Sequence, residues 1–154
     1  STFLKDILNR MVLVQGGDQE DFWRALQQSF LISADIAHAL HPNFAEKHDS
    51  RYAPVLNGGP VIKQNGNFRY ATTAETTVFF EQLCQKAEVK VQKIINRSDM
   101  PCGSTIGPIS STRLGVATVD VGNPMWGMHS IRETAGTEDH WMMTKVFTTF
   151  FNQS

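Results

Sequence analysis

The residues with the clearest chemical potential lie between Phe30 and His48, in the stretch FLISADIAHALHPNFAEKH. The apolar run at 30–32 is long enough for a short buried strand, and Asp35 follows at the end of that strand. In an open α/β sheet, ligand sites form from polar residues just beyond the carboxyl ends of strands. Asp35 is therefore a candidate metal ligand. The alternative is an N-cap that accepts backbone N–H bonds from a helical turn over 36–40.

Three histidines accompany this acid: His38, His41 and His48. His38 and His41 are three residues apart, so they would share one face if the segment were helical. A neutral imidazole is a good zinc ligand. A single histidine is nevertheless more often a packing residue with a hydrogen-bonded ring. The residue types alone leave both interpretations of these histidines open.

Further candidates come later in the chain. Lys63 could pair with a carboxylate, but an isolated lysine is commonly a solvated surface residue. The segment Pro101–Pro108 contains two prolines and two glycines. It would present backbone N–H groups on a tight loop, or it would simply connect a strand to a helix. His129 follows a predicted strand within a few residues and is either a metal ligand or a loop histidine bonded to the backbone.

Hydrophobic periodicity predicts the elements that position these residues. Apolar residues at helical spacing predict helices over 1–15, 18–28, 73–87, 105–114 and 137–152. Buried or alternating runs predict strands over 30–32, 60–63, 89–95 and 116–121. The Asn65-Gly66 turn predicts that 68–70 forms a hairpin with the strand before it. Helices that alternate with buried strands indicate the α/β class, with a layered sheet between helices.

Four local features of this pattern are explicit expectations. Gly122-Asn123-Pro124 should end the strand that precedes it. Pro108 should break the helix around it. Trp23 and Trp141 should face inward, on the buried sides of the second and the last helix.

Length and composition argue against several classes of protein. The chain has 154 residues, the size of one ordinary domain, with 41% hydrophobic and 19% charged residues. The formal net charge of −1 gives no basis for binding nucleic acid or an anionic membrane. No apolar run reaches the roughly 20 residues of a membrane span, and no signal peptide is visible. Cys84 and Cys102 lack zinc-ribbon spacing, and we expect reduced thiols in a cytoplasmic protein.

Five ordered motifs resemble one known family. SADIAHALHPN with EKH, then GPVIK, RYA, PCGSTIGP and MHSIRE occur in the order seen in the aspartyl aminopeptidases, which are dinuclear zinc exopeptidases. The motifs cover most of the chain from Phe30 onward. The resemblance implies a layered α/β/α zinc-peptidase-like mixed sheet with flanking helices. It also implies two Zn²⁺ ions, a peptide substrate with N-terminal Asp or Glu, and a homo-oligomer in the complete enzyme.

The resemblance assigns roles to individual residues. Asp35 matches a terminal carboxylate ligand of one zinc ion, and His129 matches the terminal histidine of the other. Lys63 matches the lysine that receives the acidic side chain of the substrate, and Tyr70 matches a tyrosine near the same pocket. The loop that lines the substrate site corresponds to Gly103, Ser104 and Thr105.

The remaining histidines match positions that orient the metal ligands or support the structure; they are His38, His41 and His48. One departure from the family pattern is Met125-Trp126-Gly127, which is bulkier than the corresponding segment. This departure would reshape the pocket while leaving His129 in place.

Several family elements do not occur in this sequence. It contains no Glu-Glu pair and no His-x-Asp element, which in the family provide the catalytic base and further metal ligands. The segment Ser1–Arg10 matches a helix that follows the Glu-Glu pair in the family. We therefore expect residues 1–154 to be the C-terminal portion of one catalytic domain, with no second domain, and to be inactive alone. Two alternatives remain: another two-zinc hydrolase such as a deacylase, and a non-catalytic binding or assembly fragment.

Overall fold

The computed structural model describes residues 2–153, which form a mixed sheet flanked by helices. The helices are α1 Phe3–Val14, α2 Gln19–Gln27, α3 Ala74–Lys86, α4 Ile106–Leu114 and α5 Thr137–Phe151. The strands are β1 Phe30–His38, β2 Val61–Gln64, β3 Gln92–Ile95, β4 Ala117–Trp126 and β5 Thr134–Ala135, and a 3-10 turn spans Ala45–Lys47. The five predicted helices are confirmed, and so is the α/β class.

The sheet has the strand order β1-β4-β2-β3, with β5 paired to the end of β4. β1 runs parallel to β4, and β2 runs parallel to β3. β2 and β5 are antiparallel to β4, so the sheet is mixed, as the resemblance implied. None of the helices among residues 2–153 is long and apolar enough to cross a membrane.

One face of the sheet is apolar. Successive side chains of a strand point to opposite faces, so every second residue shares a side. Val119 and Val121 of β4 and Ile62 of β2 are completely buried against α3 and α5, where they meet Phe80 and Val146. We call this side the apolar face. It holds the largest cluster of buried hydrophobic residues in the described chain.

The opposite face is mixed. Leu31 of β1 packs there against a smaller cluster contributed by α1, α2 and the end of α4. Further along the strands, the same alternation brings polar residues to this side, where Ser33 of β1 is registered beside Asp120 of β4. Lys63 follows Ile62 on β2 and therefore also points to this side. We call it the cavity face.

Local capping explains where two helices begin. Asp18 accepts hydrogen bonds from the N–H groups of Glu20 and Asp21 and forms a capping box at α2. Thr73 forms the corresponding box at α3. Gly16, with φ of +84°, follows the end of α1 in the left-handed region that glycine adopts without strain. The capping bonds are local, because each joins residues no more than three positions apart.

The first correction concerns the segment around Asp35. β1 continues through His38, so Asp35 lies within the strand and does not follow it, and the helical turn over 36–40 does not form. His38 ends the strand and His41 lies in the loop beyond it, so they share no helix face. The reason is tertiary, because every residue of β1 is registered against β4 as far as Met125.

The predicted hairpin after β2 and the predicted end of β4 are both wrong. Residues 68–70 form no strand, because β2 already has β3 on one side and β4 on the other. β4 also continues through Gly122-Asn123-Pro124 to Trp126. Its parallel partner β1 extends equally far, so pairing keeps this stretch extended despite the glycine and the proline.

The third correction concerns the helices. Pro108 does not break α4, because it lies in the first turn, where the backbone N–H has no helical acceptor. Trp23 and Trp141 do not face inward; they are 44% and 67% exposed. Their neighbours Phe22 and Met143 occupy the buried positions instead.

Candidate functional site

A cavity of about 570 Å³ opens at the cavity face, between β1, β2 and the loop that leads into α4. Eight of the ten residues predicted from the sequence line this cavity. They come from four separate parts of the chain: Asp35, His38, Lys63, Tyr70, Gly103, Ser104, Thr105 and His129. His41 and His48 do not line it.

Lys63 provides the charge of the cavity. Its side chain is only 2% exposed, and its ammonium donates a hydrogen bond to the Ile36 carbonyl at 3.3 Å. The Nζ atom lies 3.6 Å from the Asp35 carboxylate and 5.2 Å from the centre of the Tyr70 ring. Burial lowers the pKa of Lys63, and the negative charge of Asp35 opposes this change. A buried ammonium of this kind gains from a carboxylate partner.

Asp35 and Tyr70 border that ammonium. The Asp35 side chain is 45% exposed, so its carboxylate reaches the open part of the cavity as well as Lys63. Cys102 lines the same cavity as Tyr70. Burial raises the pKa of Tyr70, so the phenol stays neutral near neutral pH. The cavity therefore combines one cation, one accessible carboxylate and one neutral phenol.

His129 enters from the turn after β4. Gly127 and His129 both have positive φ, +65° and +67°, which folds the chain tightly back toward the cavity. The backbone N–H of His129 donates to the Glu133 carboxylate at 2.6 Å and holds the turn closed. A histidine in this backbone region is uncommon, and such conformations concentrate at functional sites.

Metal ligation needs more donors than these residues supply. Asp35 offers carboxylate oxygen and His129 offers imidazole nitrogen, both of which zinc accepts. A structural or catalytic zinc ion takes three or four protein ligands. Within residues 2–153, no group of three or more His, Cys, Asp or Glu side chains is arranged to hold a metal ion. The two side chains alone therefore do not complete a zinc site.

A second cavity, of about 390 Å³, adjoins the first and shares the wall formed by His38, Asn96 and Met128. His41 and His48 line this second cavity. The His41 ring lies 5.8 Å from the Trp126 ring, and its Nδ1 accepts the Asn43 N–H at 3.1 Å. These contacts give His41 a packing role.

His38 and His48 differ in exposure: more than a third of His38 is exposed, whereas His48 is partly buried. Burial lowers the pKa of His38, and the nearby His48, His129 and Lys63 lower it further. Burial also lowers the pKa of His48. Both rings are therefore mainly neutral at neutral pH, as rings that hydrogen-bond a neighbouring ligand would be.

Sequence reasoning missed two completely buried carboxylates, Asp120 and Asp139. Asp120 lies on β4 at the cavity face, and Asp139 lies in the first turn of α5. The sequence held a signal for Asp120, because an acid in the run Val116–Val121 interrupts an otherwise apolar strand. Buried acids of this kind are normally hydrogen-bonded, and their partners are informative.

Comparison with known proteins decides the family. Residues 1–151 match the family described as Aminopeptidase I zinc metalloprotease (M18). The chain belongs to the M18 family. "Probable M18 family aminopeptidase 2" of Stutzerimonas stutzeri (strain A1501) is 53% identical over 152 residues, which are 99% of this chain and 34% of that protein. The namesake from Pseudomonas aeruginosa (strain UCBPP-PA14) is 55% identical over 152 residues, with the same coverage.

Solved structures of aminopeptidases have the same fold as this chain. One chain in "Cryo-EM structure of the Ape4 and Nbr1 complex" has a TM-score of 0.95 and 42% identity, over 98% of this chain and 29% of that chain. The M18 aminopeptidase from Thermotoga maritima has a TM-score of 0.88 at 22% identity, over 99% of this chain and 36% of that chain, and supports the fold alone. The M18 chain therefore spans about a third of the length of its curated relatives. The resemblance to zinc aminopeptidases is confirmed at the level of the family.

Proposed function

We propose that this chain is the C-terminal part of the catalytic domain of a two-zinc aminopeptidase that releases N-terminal Asp or Glu from peptides. One observation carries the proposal: Lys63, Asp35 and His129 line the same cavity, although they are far apart in the sequence. M18 membership supplies the class of reaction, because the family is described as a zinc metalloprotease family.

Lys63 is the residue that would select an acidic side chain. Its ammonium is buried, and among the described residues its contacts are the Ile36 carbonyl, the Asp35 carboxylate and the Tyr70 ring. An ammonium has three donors, so it can also bind an entering carboxylate. A charge-assisted hydrogen bond in a closed pocket is about twice as strong as a neutral one. An alanyl side chain would gain nothing from this contact.

Asp35 and His129 would each hold one of two zinc ions as terminal ligands. When bound, such ions supply an activated water and polarise the scissile carbonyl. The side chains that complete the site would lie outside residues 1–154, together with the catalytic base. Gly103, Ser104 and Thr105 would align the peptide through backbone and hydroxyl groups at the cavity wall.

The setting of the complete enzyme is part of the proposal. We propose a cytoplasmic homo-oligomer that binds neither nucleic acid nor membrane. Two free thiols, Cys84 and Cys102, are consistent with a reducing compartment. A chain of the S. cerevesiae mApe1 dodecamer is 28% identical over 99% of this chain, with a TM-score of 0.84, which supports the homo-oligomer.

The test is substrate selectivity in the full-length protein that contains this chain. Lys63→Ala leaves the substrate carboxylate desolvated without a counter-charge, which costs about 2–5 kcal/mol. That corresponds to roughly 30- to several-thousand-fold in kcat/KM for aspartyl substrates. Alanyl substrates should lose far less. Lys63→Arg should also be impaired, because a planar guanidinium does not replace a compact ammonium in a fitted pocket.

Lys93→Ala is the matched control, because Lys93 pairs with Glu81 on the surface and its side chain is 37% exposed. It should leave both substrates unaffected. Equal losses on aspartyl and alanyl substrates in Lys63→Ala would contradict the assignment of Lys63. A preference for acylated amino acids in the wild type would instead favour a deacylase.

The isolated chain provides a second test. We expect no turnover of an aspartyl substrate by residues 1–154, with or without added zinc, because no group of three or more potential ligands is arranged to hold a metal ion within residues 2–153. Hydrolysis that a chelator abolishes would contradict this expectation. It would also exclude the alternative of a non-catalytic assembly fragment.

A further inference from the structure

Asp120 binds two separate loops with its two carboxylate oxygens. Oδ2 accepts the backbone N–H of Ala71 at 2.6 Å, and Oδ1 accepts the hydroxyl of Thr105 at 3.0 Å. The backbone N–H of Asp120 donates to the Thr72 hydroxyl at 2.9 Å. The side chain is completely buried, so no solvent competes for these bonds.

The two loops are those that form one side of the cavity. Tyr70 directly precedes Ala71, and its ring lies under the Lys63 ammonium. Thr105 ends the loop that begins at Gly103 and lines the cavity. A further bond joins the loops directly, because the Ser104 hydroxyl donates to the Arg69 carbonyl at 3.0 Å. Asp120 is thus the fixed point on β4 to which both loops are attached.

The start of α4 packs directly on this carboxylate. A Cβ atom on Gly107 would lie 2.0 Å from Asp120 Oδ1, so only glycine permits the approach. The neighbouring pair in the register, Ile62 beside Val121, places Lys63 on the same face of the sheet as Asp120. The carboxylate therefore fixes the loops relative to the strand that carries Lys63.

We propose that Asp120 is a positioning residue for the acid-selecting pocket, because it holds the Tyr70 segment and the Gly103–Thr105 loop at the spacing that an acidic side chain needs beside Lys63. The inference rests on the proposed function and deepens it. A carboxylate suits this task because it accepts from an N–H and an O–H at once and has no donor of its own. An asparagine amide would keep one acceptor and force the Thr105 hydroxyl to turn round.

Asp139 provides a matched control. It is also completely buried, and it accepts the backbone N–H groups of Asn57 and Gly59 at 2.7 and 2.8 Å. Neither Asp139 nor the loop that it holds lines the cavity. A variant at Asp139 therefore removes the same kind of bond without moving the pocket.

The experiment measures kcat and KM for matched aspartyl and alanyl substrates in the full-length protein. The variants are Asp120→Asn, Asp120→Ala and Asp139→Asn. We expect Asp120→Ala to lower the aspartyl-to-alanyl ratio of kcat/KM by about 10-fold or more, mainly through a higher KM for the aspartyl substrate. Asp120→Asn should lower the ratio by a smaller factor. Asp139→Asn should reduce the unfolding temperature and leave the ratio unchanged.

Three outcomes separate the possibilities. Equal losses on both substrates in the Asp120 variants, with the ratio of the wild type, would overturn the positioning role. If Asp120→Ala does not fold, the nearly isosteric Asp120→Asn decides alone, and a wild-type ratio in that variant overturns the inference. A wild type without any preference for aspartyl substrates would overturn the proposed function and this inference together.

Discussion

The two faces of the sheet differ in what their buried residues do. On the apolar face, Val119, Val121 and Phe80 are completely buried and make only hydrophobic contacts with their surroundings. On the cavity face, the neighbouring positions of the same strands carry Asp120 and Lys63, which are equally buried. Asp120 and Lys63 are therefore not on the cavity face to meet solvent.

This difference shows how one strand serves two purposes. Burying an unpaired charge is costly, and the cost is tolerated only where hydrogen bonds or opposite charges compensate it. The buried charge of Asp120 is compensated by hydrogen bonds from two loops. The buried charge of Lys63 is compensated by the Asp35 carboxylate and the Ile36 carbonyl. The apolar face stabilises the fold, whereas the cavity face organises the site. The following predictions test that division, from the largest expected effect to the smallest.

Phe80→Ala should be the most damaging change to stability. The ring is completely buried on the apolar face, and truncation of such a residue costs about 3–5 kcal/mol, because it leaves a cavity as well as losing hydrophobic contact. Phe68, which is 87% exposed, is the control. Phe68→Ala should change the free energy of unfolding by less than about 0.5 kcal/mol. Denaturant unfolding of the wild type and the two variants measures both values. Similar losses of stability in the two variants would contradict the view that the apolar face stabilises the fold.

The two cysteines should differ strongly in reactivity. Cys84 lies on the apolar face, where burial raises the pKa of its thiol to about 12. Cys102 lines the cavity and is partly exposed. A thiol reagent at about pH 8 should modify Cys102 more than about 100-fold faster than Cys84, because the thiolate is the reactive form. Cys102→Ser should abolish the fast phase of modification. A fast phase that persists in this variant would show that the reagent reaches Cys84 on the apolar face.

Asp139 should make stability depend on pH. Burial raises the pKa of Asp139 in the folded state, although the N–H groups of Asn57 and Gly59 oppose the change. A raised pKa means that the folded state binds the proton more tightly than the unfolded state, so protonation stabilises the fold. This contribution is lost as pH rises through the folded-state pKa. The unfolding temperature of the wild type, relative to Asp139→Asn, should therefore rise between about pH 7 and about pH 4. A relative decrease would contradict the assignment.

The outer surface of α1 should cause self-association of the isolated chain. Met11 and Val14 are 53% and 88% exposed, and within the described residues β1 pairs on one side only. Exposed apolar patches and long edge strands both favour association. Met11→Lys combined with Val14→Lys should shift the chain toward monomer in sedimentation, with little change in unfolding. A wild type that is monomeric at every concentration would contradict the prediction.

The sequence by itself determined the helices, the class of fold and the family. Helical spacing of apolar residues located all five helices, because the 3.6-residue repeat is a property of the helix itself. It did not fix the buried side, since Trp23 and Trp141 are exposed. The helix predicted over 18–28 begins at its N-cap, Asp18, whose capping bonds lie within three residues. The motifs that carry the resemblance also named eight residues that line one cavity.

Only the tertiary structure decided how far the strands extend and which buried acids matter. The sequence predicted that Asp35 follows a strand, but the register with β4 keeps β1 extended to His38. No local signal could show this, because the partner lies more than eighty residues away in the sequence. The role of Asp120 was hidden for the same reason. Its partners, Ala71 and Thr105, come from loops that meet only when the sheet and α4 have packed.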